Sequence, residues 1–246
     1  MSVEVTLYAV SFSHPSRAAL LMARHKGIEP KVVNLPPGSQ LLAMRALGFG
    51  GGTVPGMKLG GRRALGTREI SRALDEAVPE PPLFPADPDR RAAVEEAERW
   101  GDVVYQPVPR RIFRWSIATN GDVRERVLED LGFPAVPVTS RLMLPMAQLY
   151  MRAENGGEET ARADVAAIPE HLDHIDELIA DGTIDGEALN AADFQIGVTT
   201  RVLLLFPQLR ELVSGRPAEA HAMRVVPRFG DETRVEVPPE WIPDSA

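Results

Sequence analysis

The chain has 246 residues, with 27 basic and 35 acidic side chains, a formal net charge of −8 and no cysteine. That balance argues against nucleic acid as the default partner, because neutralising phosphate supplies most of such affinity. The missing cysteine excludes a disulfide framework, a thiolate metal site and any thiol–disulfide exchange by the protein's own side chains.

No apolar run approaches a membrane span. The start, Met-Ser-Val-Glu-Val-Thr, lacks the basic and apolar regions of a secretory signal. A cytoplasmic protein with no membrane association is therefore expected. Residues 3–9 alternate and predict a strand. Ser13-His14-Pro15-Ser16 supplies helix-start chemistry, and Gly27 after Lys26 supplies a stop. Lys31 to Leu35 predicts a second strand, which makes a βαβ unit with a parallel pair. A short helix is expected near Ser39–Leu47, followed by the connector Gly50-Gly51-Gly52. A short strand starts at Val54-Pro55. A Gly-Gly turn, another short strand and a helix capped by Thr67 follow, with Ile70, Ala73, Leu74 and Ala77 on one face.

Five prolines in residues 79–88 read as a semi-rigid linker. Beyond them the pattern is helical. One long helix is expected from Arg90 to Trp115, kinked at Pro107 and Pro109, then helices over Thr139–Arg152 and Glu158–Asp181. Leu189-Asn190-Ala191-Ala192-Asp193-Phe194 combines an N-cap, a reciprocal acid three residues on and a hydrophobic staple. The helix it opens, through Leu205, is nearly all apolar and should be buried. Arg216-Pro217 begins a last helix, and an irregular tail is expected from Pro227. His171 and His174 have one helical spacing of a metal pair, yet no further ligands in pattern, so no metal site is expected.

The order of these pieces resembles the glutathione S-transferase family: an α/β thioredoxin-like N-terminal domain followed by an all-α C-terminal domain. Leu7-Tyr8, Ser13-His14-Pro15-Ser16-Arg17 and Lys26-Gly27-Ile28 match its first strand and helix. Val54-Pro55 and Thr67 match its second motif, and Asn190-Ala191-Ala192-Asp193 matches the capping box of its buried helix. The resemblance divides the chain into a thiol-binding domain (1–78), the linker (79–88), a helical domain for the acceptor substrate (89–226) and the tail (227–246). It is closest to the serine-type, bacterial-like members.

That resemblance implies a detoxifying transferase that joins glutathione, or a similar low-molecular-weight thiol, to a small apolar electrophile. Glutathione is then a co-substrate, no separate cofactor is needed, and a homodimer is the expected assembly. A hydroxyl at the mouth of the first helix would stabilise the thiolate, a part that falls on Ser13, whose other reading is an ordinary helix cap. Ser16 is the reserve hydroxyl. Tyr8 and His14 could border the pocket, although Tyr8 also fits a core position and His14 a solvent-facing one. Val54, ahead of a cis Pro55, would pair its backbone with the cysteinyl group. Thr67, with the Arg68 N–H beside it, would receive the γ-glutamyl carboxylate. The family places an acid just before that threonine and this chain has Gly66, which leaves open both a different thiol and a non-catalytic binding protein on the same scaffold.

Overall fold

The computed structural model describes residues 4–36, 38–227 and 235–243. Its chain divides into two compact units. One is Met1–Val103 with Leu178–Thr199; the other is Val104–Glu177 with Thr200–Ala246.

The first unit opens with β1 (Val5–Ala9), α1 (His14–His25) and β2 (Lys31–Asn34). Val3 and the residues before it lie outside the described residues. The α2 helix (Gln40–Ala46), β3 (Gly56–Leu59), β4 (Arg62–Leu65) and α3 (Thr67–Ala77) follow. The strands form one sheet in the order β2-β1-β3-β4. The β1–β2 pair is parallel and the other two pairs are antiparallel. This is the thioredoxin-like arrangement foreseen from the sequence.

Register sorts the side chains. Leu7 lies opposite Val32 on one side and Met57 on the other, and Met57 lies opposite Ala64. Leu7, Met57 and Ala64 are buried, as are Met22 of α1 and Ile70 and Leu74 of α3, and these two helices pack together. The next residue along the strand turns to the opposite face. There Tyr8 clusters with Met44 and Phe49. A Cβ at Gly56 would stand 2.2 Å from the Met44 terminal methyl and 3.0 Å from the Phe49 ring, so a larger residue there would force this cluster to shift.

The proline linker is fixed in place. The Lys26 side chain, fully buried, donates to Asp75 (2.6 Å) and to the carbonyls of Pro79 (3.2 Å) and Pro81 (2.5 Å). Asp75 also accepts from the Leu83 N–H at 2.7 Å. All three ammonium protons are thus used, which is the condition for tolerating a buried lysine.

The expected single helix over residues 90–115 is two helices: α4 (Pro88–Trp100) and α5 (Pro107–Thr119), joined by a π-helical turn at Gly101–Tyr105. The prolines produce no kink. Both fall in the first turn of α5, where backbone N–H groups lack intrahelical acceptors in any case. Gly101 sits where a Cβ would come within 3.0 Å of Gln195 and Ile196.

The second unit adds α6 (Gly121–Asp130), which the pattern reading passed over, α7 (Val136–Ala153) and α8 (Glu158–Ala180). Asn120 caps α6 by accepting from Asp122 and Val123. The helices α5, α6 and α7 pack on one another.

Helix α9 (Ala191–Leu203) is buried at every residue, as its composition required. It stops two residues short of Leu205, because Pro207 opens a 3-10 turn and holds Phe206 extended. Then come α10 (Arg210–Val213) and α11 (Pro217–Val225). Of the expected tail, 228–234 and 244–246 lie outside the described residues. Val235, Val237 and Trp241 are buried. The Trp241 ring meets Trp115 at 4.5 Å, and the Ser116 hydroxyl donates to the Glu236 carbonyl at 3.0 Å. Among the described residues no helix is long and apolar enough to cross a membrane.

Candidate functional site

Three backbone features at one end of the sheet hold the residues singled out in the sequence. The first is the turn after β1. The Ser13 N–H donates to Val10 at 3.0 Å, and Phe12 takes φ of 65°. Ser13 is the N-cap of α1 and accepts from the Ser16 N–H at 3.3 Å. A second, shorter bond joins the same pair: the Ser16 hydroxyl donates to Ser13 Oγ at 2.8 Å. Ser13 is half-buried, whereas His14 and Ser16 are buried. No acid occupies the first turn of α1, so its positive end faces no side-chain anion of that turn.

The second feature is the prolyl turn. The Val54–Pro55 peptide is cis. The backbone N–H and carbonyl of Val54 pair with no other backbone group among the described residues, and its side chain packs against the Tyr8–Met44–Phe49 cluster. An unpaired main-chain edge of this kind can take an extended peptide as a further strand.

The third is the start of α3. Here the sequence expectation needs correction: the cap is Gly66, with φ 83° and ψ 159°, and Thr67 is the first helical residue. Only glycine adopts that backbone conformation readily. The helix has no side-chain cap. The Glu69 carboxylate accepts from Leu65, one residue before the cap. The Gly66 N–H donates to the Pro55 carbonyl at 2.8 Å and so ties the helix start to the prolyl turn. Uncapped first-turn N–H groups, aligned with the helix dipole, suit a carboxylate.

Pattern reading missed one carboxylate here. Asp102, on the π-helical turn, places Oδ1 3.5 Å from Thr67 Oγ1. Thirty-five residues separate the two, and no local spacing could have linked them. Behind them Glu98 is buried, accepts from the Ser71 hydroxyl at 2.6 Å, and pairs with the Arg72 guanidinium. Arg68 Nε lies 3.9 Å from the same carboxylate. Burial pushes the Glu98 carboxyl up, against the opposing pull of Ser71, Arg72 and Arg68.

The Tyr8 ring packs edge-on against Phe49 at 5.7 Å, a core position. Tyr105 is fully buried, bonded to Thr200 at 3.0 Å and edge-on to His171, and burial holds its phenol well above the ordinary value. The His174 ring lies 3.8 Å from Glu177. No group of three or more His, Asp or Glu side chains among the described residues could hold a metal.

Residues 7–82 match the family model of the glutathione S-transferase N-terminal domain. That stretch contains Ser13, Val54, Pro55, Thr67 and Arg68. Solved structures extend the likeness of fold to nearly the whole chain. A glutathione transferase from Populus trichocarpa superimposes with a TM-score of 0.60 at 15% identity, covering 92% of this chain and 95% of that one. A glutathione S-transferase from Rhodospirillum rubrum gives 0.56 at 20% identity, with 96% and 97% covered. The theta-class glutathione S-transferase from Xanthomonas axonopodis pv. citri, solved with glutathione bound, gives 0.57 at 18%, with 93% and 99% covered. No curated protein matches the chain in sequence.

Proposed function

We propose that this protein is a serine-type, bacterial-like glutathione transferase that joins the thiol of glutathione, or of a close analogue, to a small apolar electrophile. The observation that carries the reading is the hydrogen bond from the Gly66 N–H to the Pro55 carbonyl, 2.8 Å. It ties the prolyl turn, beside the unpaired backbone of Val54, to the uncapped helix start at Thr67, and on our reading the two serve as one surface. A short peptide with a free carboxylate suits that surface: its cysteinyl backbone pairs with Val54, and its γ-glutamyl carboxylate meets the Thr67 hydroxyl and the Thr67 and Arg68 N–H groups. Asp102 supplies the anion for the amine that an acid at position 66 would otherwise hold.

Ser13 donates its hydroxyl to the sulfur. The thiol proton leaves to water, and the serine is not itself a nucleophile. A hydrogen bond to a charged group contributes about 1.5–3 kcal/mol, which lowers the thiol pKa by roughly one to two pH units. The thiolate sulfur then forms a bond to the electrophilic carbon, and the leaving group departs with its electron pair. The helical half (89–226) binds the acceptor and residues 1–78 the thiol. The setting is cytoplasmic detoxification by a homodimer with no further cofactor.

Two measurements test this. Millimolar glutathione should raise the melting midpoint, because a ligand specific for the native state stabilises it. Ser13→Ala should lower conjugation of a chlorodinitrobenzene by about tenfold or more. Unchanged turnover in that variant removes Ser13 from the mechanism. No thermal shift together with no conjugation by the wild type replaces the enzyme with a binding protein on the same scaffold, for which the bare Gly66 is the supporting feature.

A further inference from the structure

We propose that Ser16 is a positioning residue, one that holds the Ser13 oxygen as an acceptor and so commits the Ser13 proton to the sulfur of the bound thiol. The inference rests on the thiol-stabilising role given to Ser13 above. It starts from the capacity of a hydroxyl: one donor and two acceptor lone pairs. Ser13 Oγ accepts twice, from the Ser16 N–H at 3.3 Å and from the Ser16 O–H at 2.8 Å. Its acceptor side is filled. What remains is its own proton, which has no acceptor among the described residues.

Capping alone does not account for this arrangement. An N-cap serine needs only the backbone bond from the third helical residue. Here that bond is the longer of the two, and the side-chain bond from the same residue is added to it. The two hydroxyls also differ in access. Ser16 is 4% exposed and Ser13 half-buried, so the chain Ser16 O–H to Ser13 O–H runs outward, from the closed position to the one a ligand can reach. Donation into the Ser13 oxygen withdraws electron density from its O–H bond and strengthens it as a donor. Hydrogen bonds in such a chain strengthen one another by perhaps 10–30% in a protein interior. The positive end of α1 acts in the same sense. Removing the Ser16 hydroxyl would lose that polarisation and free Ser13 to turn its proton elsewhere.

The test is the pH dependence of kcat/KM for a chlorodinitrobenzene at saturating glutathione, which reports the bound thiol, across five proteins: the wild type, Ser16→Ala, Ser16→Thr, Ser13→Ala and the Ser13→Ala, Ser16→Ala double variant. In Ser16→Ala the midpoint of the profile should move up by about half a pH unit. At a fixed pH below the midpoint the rate should fall about threefold, since ten-fold in thiolate corresponds to one pH unit. The glutathione KM and the melting midpoint should stay where they are. Ser16→Thr, which keeps the hydroxyl, should restore the wild-type profile. In a Ser13→Ala background, Ser16→Ala should have no further effect, because the second hydroxyl acts only through the first. A wild-type profile in Ser16→Ala, or an equal loss with and without Ser13, overturns the positioning role and leaves the transferase reading standing. A wild-type rate in Ser13→Ala, or no conjugation by the wild type, overturns the transferase reading and this inference with it.

Discussion

Gly66 combines φ 83° with ψ 159°, and a Cβ there would meet no atom within 4 Å. The position is therefore open in space and closed in backbone conformation. A residue with a side chain pays about 1–3 kcal/mol to hold such angles. The loop geometry therefore favours glycine at this position, while Asp102 on the π-helical turn places a carboxylate oxygen 3.5 Å from the Thr67 hydroxyl. Gly66→Glu should lower the free energy of unfolding by about 1–3 kcal/mol in a urea titration, with Gly66→Ala losing a similar amount. Equal stability in all three proteins would show that the loop relaxes.

At the scale of the element, capping decides where helices begin. Asp193 is completely buried and accepts from the Asn190 and Asp185 N–H groups, each at 2.7 Å. Asn190 returns the favour by accepting from Ala192 and Asp193. Asp193→Ala should cost about 2–3 kcal/mol by urea unfolding, since it strands two part-buried donors once served by a buried charged acceptor. Asp193→Asn should recover part of the loss. A change below about 0.5 kcal/mol would mean that water replaces both bonds.

This box was legible because its parts lie within four residues. The first strand, α1 and α3 were legible for the same reason: period and punctuation are local. Asn120 was as clear a start signal for α6, and went unread beside the stronger pattern of α5. The break between α4 and α5 is different in kind. It lies at Gly101, where a Cβ would come within 3.0 Å of Gln195 and Ile196, ninety-odd residues away, a proximity that no window along the chain contains. Likewise Ser13 and Ser16 were readable as a helix start. The second hydrogen bond between them was not, because spacing alone does not say which way a hydroxyl turns.

For the molecule as a whole, two histidines with lowered pKa contribute to the response to mild acid. The His25 ring packs against Phe194 at 5.3 Å. Burial, with Lys26 nearby, holds its pKa below the ordinary value, and Asp193 only partly opposes this. Burial lowers His171 in the same way beside Tyr105. A base with a depressed folded pKa contributes stability that is present above its unfolded pKa, near 6.5 here, and is lost as pH falls through the folded value. Glu98 runs in the opposite sense. Its raised carboxyl contributes stability below its unfolded pKa, near 4.5, which is lost as pH rises through the folded value. Comparing wild type with a His25→Gln, His171→Gln double variant isolates the histidines from that opposing contribution. The urea midpoint of the wild type should fall more steeply below about pH 6.5 than that of the variant. Parallel curves would exclude the histidines.

The first compact unit is discontinuous, since Leu178–Thr199 returns to complete what Met1–Val103 began. Within it the Ala191 N–H donates to the Leu83 carbonyl at 3.0 Å, and Phe194 covers His25. A truncation ending at residue 88 should therefore lack a cooperative melting transition, even though it contains the complete sheet; a sharp transition in that fragment would show the returning segment to be dispensable. During synthesis the nascent sheet, complete at Leu65, must wait for the ribosome to deliver more than a hundred further residues before Leu178–Thr199 emerges, on the order of ten seconds at ordinary elongation rates. For that interval its incomplete apolar faces stand open to chaperones, a vulnerability set by chain order rather than by final stability.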